Sequence, residues 1–271
     1  MLRKVRAAWR TLRKQGVSGV FSRIGWYIHR WWLSDNWLIG KVGELRGNRV
    51  TLDGCQFNLD FPAIATAQKS TFFIGNYEVK ERIAVQKIPN EGLPIIELGG
   101  GVGVVSCVTS KHFNNPTRHV VVEANPNMIP VIIAQRNLNG CNFQVIQANL
   151  AYEAAEAVFH VQARFLASSA LALPDGEAVR VPSTTLQSLM EQHGFEQIVL
   201  ICDIEGAEVD LFEHEADLIG ARVKHLVLEF HPKLTGVEAV NRIKGQLEDL
   251  GFRLIYQGKD NYLYRNEMCA S

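Results

Sequence analysis

Short apolar runs alternate along this chain with longer stretches whose apolar residues recur at helical spacing, and the alternation predicts repeated strand, turn and helix. The strand runs are IIEL from Ile95, HVVVEA from His119, Phe143 to Ala148, Ile198 to Cys202 and Leu226 to Phe230. Helices are expected over Val104 to Phe113, from the ANPNM turn to about Asn139, from about Thr184 to His193, and from Pro232 to about Leu250. Such βαβ units imply a parallel sheet with helices on both faces. The last two runs, Phe252 to Tyr256 and Asn261 to Tyr264, are joined through Gly258-Lys259-Asp260, too short for anything but an antiparallel pair.

Before the first of these strands, Thr71 to Val85 reads as the start of a helix leading into the repeat. The alternating runs from Leu38 to Asp60, broken by Gly40, Gly43, Gly47-Asn48 and Asp53-Gly54, predict a small β-hairpin or meander used as a lid or docking surface. Between Ala151 and Pro182, short runs and small polar turns suggest a β-rich insertion. The expected organisation is a basic, Trp-rich arm with a small β module over residues 1–70 and a main α/β domain over 71–271.

The chemistry-bearing residues collect at the carboxyl ends of the strands, where ligands sit in such sheets. IIELGGGVG reads as strand, glycine-rich turn, helix: Gly99, Gly101 and Gly103 allow positive φ and let a ligand approach the backbone, pointing to a nucleotide-like cofactor. Any tight strand-to-helix turn collects glycines, so the loop gains meaning from Glu123, which ends the next strand twenty-four residues after Gly99. That is close to the roughly 20-residue spacing at which a carboxylate meets ribose hydroxyls. Asn149 follows the third strand and is either a turn residue or an amide facing an adenine edge. Glu97 and Glu78 complete the cofactor-facing set, and Glu78, near a helix start, also suits the helix dipole.

A second group lies in DIEGAEVDLF. Asp203 ends a strand and Glu205 occupies the turn, and two carboxylates there repel unless a proton, a cation or a substrate hydroxyl stands between them. Glu208 reads as a helix-capping acid. His231, before Pro232, is either a helix-entry residue or a general base.

Composition narrows the classes. Net charge is zero, yet Met1 to Trp37 carries eight Lys and Arg against Asp35 alone, leaving the remainder acidic by about seven charges. With Trp9, Trp26, Tyr27, Trp31, Trp32 and Trp37 interleaved, this arm suits an anionic membrane surface, or packs on the main domain or a second subunit of a homo-oligomer. Nucleic acid ranks last, because the acidic remainder continues no basic stripe. Five cysteines without CxxC spacing argue against a disulfide framework or a structural metal. No window is apolar enough for a membrane span, and no secretory signal is evident, so a cytoplasmic protein, at most peripheral at the inner membrane face, is expected.

From about Thr71 to Tyr264 the chain resembles the FkbM-type methyltransferases. Four stretches carry the likeness: FFIGNYEVKER; IIELGGGVG, for a DVGANIG-like motif; VVVEANP; and ICDIEGAEVDLF with LEFHP, for KIDVEGAE and the following strand. TTLQSLM also fits. Glu97 stands where the family has Asp, Gly100-Gly101 where it has Ala-Asn, and Ile201 where it commonly has Lys. The resemblance implies a class I methyltransferase fold, a Rossmann-like doubly wound sheet with a terminal antiparallel hairpin. It also implies S-adenosylmethionine as cofactor, and O-methyl transfer to a sugar, glycan or related natural product.

An alcohol acceptor needs a general base or a metal, for which Asp203, Glu205 and His231 are the candidates. Magnesium bridging Asp203 and Glu205 is the metal alternative, although no metal site is assigned. The competing classes are a nicotinamide or nucleotide-sugar enzyme on a similar fold and a non-catalytic cofactor-binding module. Val104, standing where a GxGxxG loop from Gly99 would place its last glycine, argues against the first, as does the terminal hairpin.

Overall fold

The computed structural model describes residues 35–161 and 177–269, which fall into two compact units. The basic arm expected over residues 1–37 lies, up to residue 34, outside the described residues, as does much of the insertion expected between Ala151 and Pro182.

The smaller unit contains α1 (Trp37–Leu45) and α2 (Thr66–Phe73). Where alternation from Leu38 suggested strands, the chain is helical through Leu45, because Asn36 caps it: Oδ1 accepts from Leu38 N at 3.0 Å and Ile39 N at 3.2 Å. Gly40 and Gly43, read from sequence as breakers, instead let α1 press onto α2, since a Cβ at either would overlap the Thr66 carbonyl or the Phe73 ring. Glu44 accepts from Lys41 at 2.7 Å, Thr66 at 2.7 Å and Lys69 at 3.0 Å. These donors hold its pKa down at about 2. The helix expected over Thr71 to Val85 is two helices: α2 ends at Phe73, Gly75 turns at φ +72°, and α3 (Val79–Val85) begins in the larger unit.

In the larger unit, β1 (Arg49–Leu52) and β2 (Cys55–Asn58) form the hairpin on the Asp53-Gly54 turn. Two amide side chains of α5 (Ile129–Leu138) and its end hold it. Gln135 exchanges hydrogen bonds with Asn58 N and O (3.0 and 2.6 Å), and Asn139 does so with Gln56 N and O (both 2.8 Å). The strand edge is thereby satisfied by side chains.

The main sheet is formed by β3 (Ile95–Leu98), β4 (His119–Glu123), β5 (Gln144–Gln147), β9 (Ile198–Cys202), β10 (Val223–Glu229), β11 (Phe252–Gln257) and β12 (Asn261–Asn266). Their order among the described residues is β11-β12-β10-β9-β3-β4-β5, parallel except for β12, which runs antiparallel to both β10 and β11. This is the α/β arrangement expected, terminal hairpin included. A smaller sheet of β6 (Asn149–Leu150), β8 (Glu177–Thr184) and β7 (Glu156–Val161) stands where the insertion was expected.

The fully buried β3 and β9 carry the core on which α4 (Val104–His112), α6 (Leu186–His193), α7 (Glu208–Arg222) and α9 (Val237–Asp249) are built, the last preceded by a single turn, α8 (Pro232–Thr235). Leu211, Phe212 and Ile219 of α7 and Val240, Ile243 and Leu247 of α9 belong to one cluster with Ile96, Leu98, Leu200 and Leu226. At roughly 2 kcal/mol per fully buried large side chain, this cluster is a large stabilising contribution to the sheet. The chain moves outward through β4 and β5 on one side of β3 and returns to β9 on the other. The switch point therefore lies between the carboxyl ends of β3 and β9.

Candidate active site

At the switch point, Asp203 N donates to Leu98 O at 2.9 Å, joining the first residue beyond β9 to the last of β3. A Cβ on Gly99 would run into the Asp203 carbonyl, and φ there is +91°, so glycine is required twice over. Gly101 and Gly103 also take positive φ, +52° and +82°, and Gly103 is the N-cap of α4. The loop thus crosses the end of β3 and turns directly into a helix.

Glu123 closes the loop from β4. Its Oε2 accepts from Gly101 N and its Oε1 from Asn125 N, both at 2.7 Å, and the residue is 8% exposed. Burial raises its pKa to about 7 against the pull of the surrounding backbone N–H groups. Ala148 N donates to the Glu123 carbonyl at 3.1 Å, which sets the buried Asn149 on the same sheet edge.

Glu97 is not brought to this edge. Its carboxylate accepts from Ser106 Oγ at 2.6 Å and lies 3.4 Å from His119 Nε2, in the interior between β3 and α4.

On the other side of the switch point three of the sequence candidates meet. His231 Nε2 lies 3.4 Å from both Asp203 Oδ1 and Glu205 Oε2, and Nδ1 lies 3.0 Å from Glu208 Oε1. Glu208, 1% exposed, also accepts from Ile204 N at 3.2 Å; the N-cap of α7 is Ala207, so this acid, expected as a helix cap, instead braces the turn before the helix and orients the imidazole. Glu205 sits in the left-handed region at φ +50°, a conformation that costs a non-glycine residue and turns its side chain toward His231.

Further carboxyls extend the cluster. Glu81 of α3, 4% exposed, is hydrogen-bonded to the Glu229 carboxyl, and oxygens of Glu81, Asp203 and Glu229 lie within 4.8 Å of one another. Glu229 Oε2 accepts from Asn261 Nδ2 at 2.8 Å. Glu78, at the left-handed N-cap of α3, acts on this group through its field on Glu81.

Burial and mutual repulsion decide the protonation. Burial first, then the fields of Asp203, Glu229 and Glu78, raise Glu81 well above the carboxylate range, and burial with Glu229 does the same to Asp203. Glu205 is raised to about 7, by burial foremost, against the field of His231. Burial disfavours the imidazolium, but the Glu208 hydrogen bond and the fields of Asp203, Glu208 and Glu205 outweigh it and hold His231 charged up to about 10. The cation beside Asp203 is therefore a histidine, while Ile201, where the resembling motif carries lysine, is buried apolar strand.

Sequence reasoning missed Glu81, Glu229 and Asn261 and treated Glu208 as a cap alone. Glu229 ends a strand as Glu97 and Glu123 do, so its position was the available signal. Glu81 and Asn261 reach the cluster only through tertiary packing.

The methyltransferase FkbM domain matches residues 97–254, more than half of the chain and both sides of the switch point. No match is found among curated proteins. Among solved structures, the chain is similar to a protein of the NADB-Rossmann superfamily from Streptococcus agalactiae, at 11% identity and TM-score 0.42 over 69% of this chain and 68% of that one. It is similar also to M. jannaschii TYW2 in complex with AdoMet, at 13% identity and TM-score 0.40 over 80% and 82%. A methyltransferase from Pyrococcus furiosus gives 14% identity and TM-score 0.37 over 69% and 81%. The glycine loop with Glu123, the strand order and the domain match agree, and the chain belongs to the FkbM methyltransferase domain family, as an S-adenosylmethionine-dependent methyltransferase.

Proposed function

We propose that the protein methylates a hydroxyl oxygen of a sugar, glycan or related polyhydroxylated natural product. The observation that carries this reading is the meeting of Asp203, Glu205 and His231 beside the glycine loop, with Asp203 bonded through its backbone to Leu98. The cofactor, when bound, supplies an activated methyl group, so the protein has to align the acceptor and exclude water. Glu123 is the residue suited to the ribose hydroxyls, Asn149 to the adenine edge and Gly99 to Gly103 to the methionine portion. Glu97, engaged by Ser106 and His119, serves by fixing α4 against β3.

An alcohol must lose its proton as the new bond forms. Glu205, titrating at about 7, is the carboxylate best matched to take it near neutral pH, with Asp203 beside it. His231, charged up to about 10, is the cation that offsets the developing negative oxygen rather than the base. Asp203 and Glu205 offer carboxyl oxygens able to accept from more than one acceptor hydroxyl, which favours a polyol acceptor. Asp203, Glu205 and His231, and likewise Glu81, Asp203 and Glu229, offer atoms within 4.8 Å of one another, but Glu205 and His231 already supply a base and a cation, so neither the proton nor the developing charge calls for a divalent ion. The proposed chemistry uses no metal, and a chelator is expected to leave it intact.

The test is turnover of S-adenosylmethionine with a panel of glycans and, in parallel, amine and thiol acceptors, with the product methyl ether identified by NMR. Glu205→Gln should lower kcat by about 10²–10⁴-fold and leave S-adenosylhomocysteine affinity in place. Transfer only to nitrogen or sulfur would overturn the acceptor class.

A further inference from the structure

The outward face of α1 is built the wrong way round for a helix in water. Its buried positions are Gly40 and Gly43, whereas Leu38, Val42 and Leu45 stand together on the opposite side at 67%, 49% and 87% exposure, with Trp37 beside them at 56%. A surface helix ordinarily turns such residues inward. Leu38, Val42 and Leu45 follow the i, i+4, i+7 spacing of a single stripe. Lys41 borders the stripe, with its ammonium 5.6 Å from the centre of the Trp37 ring.

Charge says what kind of surface would cover it. Residues 1–37, which run directly into this helix, carry eight Lys and Arg against Asp35 alone, interleaved with tryptophans, whereas the rest of the chain is acidic. An apolar stripe with basic and Trp-rich sequence beside it matches an interface of anionic headgroups over acyl chains. Among the described residues no helix is long and apolar enough to cross a membrane. We infer that α1 lays Trp37, Leu38, Val42 and Leu45 onto an anionic phospholipid bilayer, with the preceding basic segment supplying the electrostatic attraction.

The experiment is co-sedimentation of the full chain with phosphatidylcholine vesicles, with and without phosphatidylglycerol. Wild type should sediment with the anionic vesicles and be released by salt. The variant Leu38→Glu/Val42→Glu/Leu45→Glu, which keeps every charge of the arm and alters only exposed positions, should bind at least about tenfold more weakly while retaining its affinity for S-adenosylhomocysteine. The polar variant Leu38→Gln/Val42→Gln/Leu45→Gln should also bind more weakly, without added repulsion. Undiminished vesicle binding by both variants would overturn the proposal by assigning binding to the arm alone. So would absence of wild-type binding, or a wild-type dimer abolished by these substitutions in a protein that ignores vesicles.

Discussion

Oε1 of Glu208 lies 3.0 Å from Nδ1 of His231, and the same oxygen accepts from Ile204 N at 3.2 Å. One buried carboxylate thus fixes both the turn after β9 and the imidazole after β10, so that Nε2 faces Asp203 and Glu205. Glu208→Gln keeps an acceptor for Ile204 but removes the charge. The His231 pKa should then fall from about 10 by about one to two units, as read by NMR titration of the imidazole. Glu208→Ala should also lower turnover, with a shifted pH profile, while S-adenosylhomocysteine affinity is kept.

Glu123 should give cofactor binding a pH dependence. Its carboxylate must be ionised to accept from ribose hydroxyls while burial raises its pKa to about 7, so affinity for S-adenosylhomocysteine should weaken as pH falls through 7, by about tenfold per unit at the limit. The effect on stability has the opposite sign. Between 4.5 and about 7 the folded state keeps a proton that the unfolded chain has lost, so this residue makes the ligand-free protein less stable as pH rises through that window. Glu123→Gln should bind more weakly with a flatter profile, and its melting temperature should gain on wild type between pH 5 and 8. An unchanged affinity would remove the ribose assignment.

Gly99→Ala should be severely destabilising. The new Cβ meets a backbone carbonyl, that of Asp203, and the position is held at φ +91°, so a loss of more than about 3 kcal/mol is expected in denaturant unfolding. Gly140→Ala is a useful comparison: it has a positive φ of +60° but nothing within 4 Å of the added Cβ, and should cost about 1–2 kcal/mol.

Glu215 holds a helix that is distant in sequence. Its carboxylate accepts from Leu186 N at 3.0 Å, Gln187 N at 2.7 Å and the Tyr152 hydroxyl at 2.5 Å, satisfying the start of α6 from within α7. The backbone at Glu215 leaves helical geometry, with φ −127°. Glu215→Ala should lose about 2–3 kcal/mol, measured by urea unfolding, and Glu215→Gln less.

The strands of the main sheet were legible because each is a short apolar run bounded by turn residues, a signal that survives without knowledge of the partners. Where local pattern and packing disagree, packing wins. Gly40 and Gly43 read as breaks in a β module, yet they lie within a helix capped by Asn36, where the lack of a Cβ lets it pack against Thr66 and Phe73. Asp203, Glu205 and His231 could be named from strand-end positions, whereas Glu81 and Asn261 had no local signature.

The sequence by itself determined the alternation of strands and helices from Ile95 onward, the closing antiparallel hairpin, and a glycine loop followed by Glu123, since these follow from periodicity, turn chemistry and covalent distance. Only the tertiary structure decided which acids share a site and in what charge state. Glu97 turns inward to Ser106 and His119, and His231 becomes the cation among five neighbouring carboxyl groups, Glu81, Asp203, Glu205, Glu208 and Glu229. Burial and the fields of groups far away in sequence set those proton affinities, and neither exists until the chain has folded.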